Sequence, residues 1–143
     1  MARIKLQAPE QFDFSTTLEV RISDINYGNH LSNDAYLSLM HEARMRFFAS
    51  LGWSEKNLAG ASVIMGDVAI VYKKECFYGD ILRVDLAVTE LGGRSFDLFY
   101  RFSKQDESLA CEAKTGMVCF DYQAGKTVAV PADFKNAFPH LLI

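Results

Sequence analysis

Apolar positions along the chain follow two different periods, and the switches between them mark out its elements. From Phe12 to Ile22 the segment is rich in Thr, Phe, Val and Ile, with Leu18, Val20 and Ile22 on alternate positions, which predicts a first strand. The next segment, SDINYGNHLSN, gathers Ser, Asp, Asn and Gly, the residues that accept turn conformations and cap helices, and predicts a polar bend. From Asp34 onward, Tyr36, Leu39, Met40, Ala43, Phe47 and Leu51 recur at three-to-four spacing, the period of a helix with one apolar face. Ser32 or Asn33 is placed to cap its start and Gly52 to end it. Its large apolar residues outnumber what a surface helix needs, so the helix is expected to lie in the concavity of a sheet.

Four strand-like runs follow: Ala61 to Phe77, Ile81 to Leu91, Ser95 to Lys104 and Leu109 to Tyr122. Turn clusters at Tyr78-Gly79-Asp80, Gly92-Gly93 and Gln105-Asp106-Glu107 separate them, and links this short favour antiparallel neighbours. A Gly125 turn, a strand-like TVAV and Pro131-Ala-Asp-Phe, which fits the start of a brief helix, complete the chain. The order predicts one α+β domain over residues 1–143, a long central helix wrapped by an antiparallel sheet of five or more strands. One helix cannot cover both faces of such a sheet. The uncovered face or an edge is therefore expected to meet a second subunit, in a homodimer or homotetramer.

Composition narrows the function classes. The chain has 143 residues, half of them hydrophobic, and a formal net charge of -3, so it offers no general attraction to nucleic acid or to anionic membranes. Cys76, Cys111 and Cys119 match no zinc or redox spacing and lie in apolar runs, which reads as reduced core residues. The first residues, MARIKLQAPEQFDF, lack the apolar stretch of a signal peptide, and 18 apolar residues nowhere run together. A cytoplasmic protein without metal or cofactor is expected.

The segment VRISDINYGNHLSNDAYLSLMHEARMRFF, Val20 to Phe48, set between a strand and a meander, resembles the hot-dog fold of the 4-hydroxybenzoyl-CoA thioesterase-like family, including its YbgC-like branch. In that family the first strand ends in a loop D-x-D-x-x-G-H-V-x-N, followed by Tyr and, along the helix, Glu-Ala-Arg. Asp24, Asn26, His30, Leu31, Asn33, Tyr36 and Glu42-Ala43-Arg44 fall on those positions without a gap. Tyr72 to Gly79-Asp80 resembles the family's Y-x-x-P-A-x-x-G-D, and MVCFD resembles its closing strand. Two positions depart from the pattern. The second loop aspartate, nucleophile or general base in many members, is Asn26 here, and the family's Gly-His is Asn29-His30, with the glycine one place earlier at Gly28.

The resemblance implies hydrolysis of an acyl-CoA or acyl-carrier-protein thioester, which needs an activated water, donors for the developing oxyanion and room for the acyl chain. His30 can take a proton near neutral pH, with Asp24 or Glu42 to orient it, or it can simply bond across the loop or a subunit contact. Asn26 can hold the water or the thioester carbonyl, or shape the loop through an Asx turn. Glu42 is the candidate replacement for the missing aspartate; the alternative is a surface pair with Arg46 at i+4. Asp67, alone among apolar residues, is in reserve. For substrate binding the candidates are Tyr27 and Tyr36 at an acyl pocket, backbone groups of Gly28 and Asn29 in the loop, and Lys73, with Lys74, for coenzyme A phosphates. Core aromatics and a solvated strand edge are the competing readings. Two other functions fit parts of the pattern: a hot-dog enoyl-CoA hydratase, from Asp24-Ile25-Asn26 followed by His30, and a non-catalytic acyl-CoA-binding protein that has lost the carboxylate.

Overall fold

The computed structural model describes residues 2–142. Strand β1 (Phe14–Glu19) leads through a 3-10 turn (Ile22–Asp24) and a loop into helix α1 (Ala35–Ser50). Strands β2 (Ser62–Tyr72), β3 (Ile81–Thr89), β4 (Ser95–Ser103), β5 (Leu109–Asp121) and β6 (Lys126–Thr127) follow, then helix α2 (Ala132–Asn136) and a 3-10 turn (Pro139–Leu141). The sheet is antiparallel, ordered β1-β3-β4-β5-β2, with β6 on β5. The expected α+β class, long helix and wrapped sheet are what the chain forms.

Helix α1 exists because its apolar stripe has a concave surface to enter. Tyr36, Leu39, Met40, Ala43, Phe47 and Phe48 are all buried, against Leu82, Val84, Leu86 and Val88 of β3 and their counterparts on β4 and β5. Full burial of each large side chain contributes about 1.5–3 kcal/mol, so this stripe outweighs local propensity in fixing where the helix lies. Phe14 of β1 stacks on Phe47 at 5.5 Å. At the far end α2 delivers Phe134, which packs on Phe96 at 4.5 Å and on Trp53 at 5.8 Å. Cys76, Cys111 and Cys119 are buried and unpaired; burial pushes the Cys111 thiol up to about 12 and that of Cys119 to about 11.

Three expectations need correction. The run from Ala61 is a strand only as far as Tyr72, because Cys76 turns inward and gives its carbonyl to the Leu31 amide at 2.7 Å instead of continuing a ladder. Consequently β2 and β3 are not neighbours: the segment 73–80 carries the chain across, and β2 becomes the edge beyond β5. The helix cap also differs. Asp34 takes the N-cap position with helical backbone angles and no side-chain bond to the first turn; the Ser32 hydroxyl donates to the Asp34 carboxylate, and the Ala35 amide closes a tight turn on the Ser32 carbonyl at 3.1 Å.

The sheet's outer face holds a buried acid. Asp85 is 6% exposed and accepts from Arg101 Nη2 at 2.9 Å and from Arg83 Nε at 3.3 Å. Burial works against its ionisation, yet hydrogen bonds from Ser15, Arg101 and Arg83 outweigh that and hold its carboxyl below the ordinary 3.8. The stability it supplies is complete above that ordinary value and is lost as pH falls through the lower folded-state value. Asp85→Asn is expected to cost about 1–3 kcal/mol at neutral pH in urea denaturation and to flatten the acid limb of the stability curve. Superimposable acid limbs for the two proteins would contradict this account.

Candidate active site

The loop between β1 and α1 is tied down at several points before any chemistry is considered. Asp24, 4% exposed, accepts from the Arg21 amide at 2.9 Å through its carboxylate and from the Ser32 amide at 2.9 Å through its carbonyl. Ile25 and Leu31 form an isolated bridge, and Asn26 exchanges backbone bonds with Asn29 and His30. Tyr72, at the end of β2, donates its hydroxyl to the Asn33 carbonyl at 3.0 Å. The loop is thereby held to β2 and to the segment after it. Asn29 sits at φ 65, a conformation that asparagine tolerates better than most residues.

Within this frame Asn26 and His30 converge over Gly28. Asn26 Oδ1 accepts from the Gly28 amide at 2.9 Å, an Asx turn that leaves the carboxamide NH2 without a partner among the described residues. His30 Nδ1 lies 3.3 Å from the Leu31 carbonyl. A proton on Nδ1 makes that contact a hydrogen bond and leaves Nε2 with its lone pair free. A Cβ on Gly28 would stand 3.2 Å from both Asn26 Oδ1 and His30 Nε2, so glycine keeps open the space the two groups share. The amides of Asn33, Asp34 and Tyr36, at the start of α1, donate to no group among the described residues.

Asn26, His30, Leu31 and Asn33 line a cavity of about 550 Å³, with Tyr27 at its rim, whose other walls are Tyr36 and the segment Tyr72 to Cys76. Tyr36 is a core residue that shows one edge to it: its ring packs on Tyr72 and Phe102, and its hydroxyl meets Cys76 Sγ at 3.6 Å. Burial raises its pKa far above the usual phenol range, so it stays protonated. Tyr27, by contrast, stands fully exposed on the rim and encloses nothing within one chain. Lys74 is engaged with Ser108 and Asp106, whereas the Lys73 ammonium has no partner among the described residues.

The remaining candidates lie apart. Neither Asp24 nor Glu42 bonds His30. Glu42 pairs with Arg46 Nε at 2.9 Å, and that guanidinium is itself bound to Thr16 and Thr17 of β1. Glu42 therefore lies on the β1 side of the helix, away from the cavity. Asp67 sits on the outer face of the sheet with Lys114 at 2.8 Å, which lowers its carboxyl below the usual range. Sequence reasoning missed two features. The Tyr72 clamp could have been noticed only as an aromatic closing a strand. Arg44 looked like part of a helix motif, but it is buried and donates to the Tyr100 hydroxyl at 3.0 Å.

Comparison with known proteins identifies the family and the fold. Residues 20–138 match the thioesterase-like superfamily. The acyl-CoA thioesterase YbgC of Haemophilus influenzae is 26% identical over 131 residues, covering 90% of this chain and 96% of YbgC. Among solved structures, the 1,4-dihydroxy-2-naphthoyl-CoA thioesterase of Synechocystis superposes with a TM-score of 0.80 at 22% identity, covering 91% of this chain and 98% of that one. A Staphylococcus aureus protein solved in complex with CoA gives 0.80 at 24%, covering 96% and 87%. Fold, loop and family match converge: this chain belongs to the thioesterase-like superfamily.

Proposed function

We propose that the chain hydrolyses an acyl-CoA thioester at the cavity where Asn26 and His30 meet over Gly28. The observation that carries this is the convergence itself: Asn26, whose carboxamide NH2 has no partner among the described residues, and His30, whose Nε2 is open when Nδ1 carries the proton, meet over Gly28 and line one cavity. In the reaction, water attacks the thioester carbonyl carbon while His30 Nε2 takes its proton. Asn26 and the amides donate to the carbonyl oxygen as it becomes an oxyanion. The tetrahedral intermediate then collapses, the carbon–sulfur bond breaks and the coenzyme A thiolate recovers the proton from His30. Asn26 thus holds the carbonyl, and the work of a base falls to histidine. Lys73, without a partner among the described residues, would meet coenzyme A phosphates, while Tyr27 borders the entry. Glu42 is left as a helix ion pair.

The active form is a homo-oligomer built through β2. That strand is an edge of 11 residues carrying exposed Met65, Val68 and Tyr72, a long unpaired ladder that a second copy would complete. A reducing, cytoplasmic setting suits the three unpaired cysteines. Among the described residues no helix is long and apolar enough to cross a membrane.

Release of free thiol from acyl-CoA esters tests the mechanism. His30→Ala and Asn26→Ala are each expected to lower kcat roughly 100-fold or more, and Glu42→Gln to leave it unchanged. Binding of esters with no thiol released from any would instead support an acyl-CoA-binding protein. Gly28→Ala should hold stability within about 0.5 kcal/mol but move the imidazole signals of His30 in NMR spectra and lower turnover, since its methyl would push Asn26 and His30 apart. Sedimentation is expected to show a dimer or tetramer, reduced to monomer by Val68→Lys; a wild-type monomer would refute the β2 contact.

A further inference from the structure

Residues 73–76 wall the cavity at the loop, yet they belong to no strand and have to be held by other means. The amides of Lys73 and Lys74 both donate to the Ala110 carbonyl, at 2.9 and 3.1 Å. At the other end of the same irregular stretch the Asp80 carbonyl accepts from the Val20 amide at 2.9 Å. Between these anchors the Cys76 carbonyl accepts from the Leu31 amide at 2.7 Å, which joins the wall to the loop residue next to His30. Leu31 N–H has no other acceptor among the described residues.

The middle of the stretch is gripped by Lys104, which starts the turn between β4 and β5 and does not itself line the cavity. Two turn bonds set its backbone: its amide donates to the Ser108 carbonyl and its carbonyl accepts from the Glu107 amide, both at 2.9 Å. Nζ donates to the Glu75 carbonyl at 3.0 Å, reaches Asp80 Oδ2 at 3.2 Å and stands 5.1 Å from the centre of the Phe77 ring. An ammonium has three donors, and these are three acceptors on one segment. The Lys104 side chain is 11% exposed and that of Asp80 13%, so the pair carries a desolvation cost that only close contacts offset. Asp80 extends the grip: its carboxylate accepts from the Phe77 amide at 2.8 Å and from Gln105 Nε2 at 2.9 Å. The Glu75 carbonyl has no other donor among the described residues.

We propose that Lys104 is a positioning residue for this site: from behind, it sets the place of the wall against which the coenzyme A ester binds. The proposal rests on the thioester-hydrolase reading of the cavity. Its influence falls on binding more than on chemistry. The loop that carries Asn26 and His30 has bonds of its own that do not involve the wall, from the Ser32 amide to the Asp24 carbonyl and from the Gly28 amide to Asn26 Oδ1. Removing the ammonium leaves those in place. It frees the Glu75 carbonyl and leaves Asp80 without its cation, so the wall draws away and Cys76 loosens from Leu31.

The test compares Lys104→Met, which keeps the length of the side chain without its donors, with Lys104→Arg and the wild type in the full-length protein. In thiol release from acyl-CoA esters, Lys104→Met is expected to raise KM roughly tenfold and to change kcat less than about threefold, and Lys104→Arg to recover much of the loss. Amide exchange gives a readout that does not depend on turnover. Leu31 should exchange roughly tenfold faster or more in Lys104→Met, while Ser32 keeps its wild-type rate. Melting temperatures check folding, and Lys104→Gln takes the place of Lys104→Met if the latter does not fold. Wild-type KM or wild-type exchange at Leu31 in the folded variant would overturn the proposal, whatever its melting temperature. Absence of thiol from every ester, with the wild type, would refute the hydrolytic reading instead; calorimetric affinity for the esters would then stand in for KM, and exchange at Leu31 would be read as before.

Discussion

The burial of one apolar helix face in one concave sheet governs the rest of the molecule. Helix α1 has no other way to remove Met40, Phe47 and Phe48 from water, and beyond the far end closed by Phe134 of α2 it is the element that covers the sheet's inner face. Once the helix lies there, the position of its first turn is fixed, and the loop from Asp24 to Asp34 has to span the gap from the end of β1. The sheet order adds the second half of the constraint. Because β2 is sent to the far edge, the segment after Tyr72 must return past the helix start on its way to β3, and so becomes the opposite wall of the first cavity. The cavity is a by-product of connectivity before it is a site.

Rigidity at the loop follows from ordinary hydrogen-bond accounting. Buried or half-buried backbone groups there have no ladder to join, and they find partners in Cys76, Asp24 and the Asn26 side chain. What is left unpaired then stands out against this background of satisfied groups: the Asn26 NH2, His30 Nε2 and the helix-start amides. The change of the family's aspartate to Asn26 becomes intelligible in these terms. A carboxylate can only accept, and one oxygen at this position already accepts from the Gly28 amide. An amide adds donors on the other side, which suits a carbonyl oxygen better than a water proton. On the proposed mechanism the demand for a base would pass to a neighbouring group with an open lone pair, His30.

Much of this could be read from the sequence because it depends on local pattern. The spacing of Tyr36 to Leu51 is helical under any tertiary arrangement, and Asn26-Tyr27-Gly28 is a turn by residue type alone. The features that could not be read depend on strand order. Whether Glu42 faces the cavity is decided by which flank of the helix looks toward β1 and which toward β2, and a helical period is silent about that. The same holds for the end of β2, where Cys76 and Phe77 bring apolar residues back after Lys73-Lys74-Glu75 while the carbonyl of Cys76 is claimed by Leu31, a residue 45 positions earlier. Arg44 was hidden for a different reason. An arginine on a helix is assumed to be solvated, and its burial becomes visible only when Tyr100 and Thr115, from two later strands, are placed beneath it.

Two cavities abut the same edge. Tyr72 at one end of β2 forms part of the one at the loop, and Met65 at its bulge forms part of a smaller one beside Arg44. Neither is enclosed in a single chain, and an open site is a wet one, in which donors to an oxyanion compete with water. The proposed pairing through β2 would bring a second α1 alongside the first and roof both openings at once. On that proposal oligomerisation and chemistry would be one requirement seen from two directions, the exposed ladder of β2 being also the boundary at which a second copy would close the site.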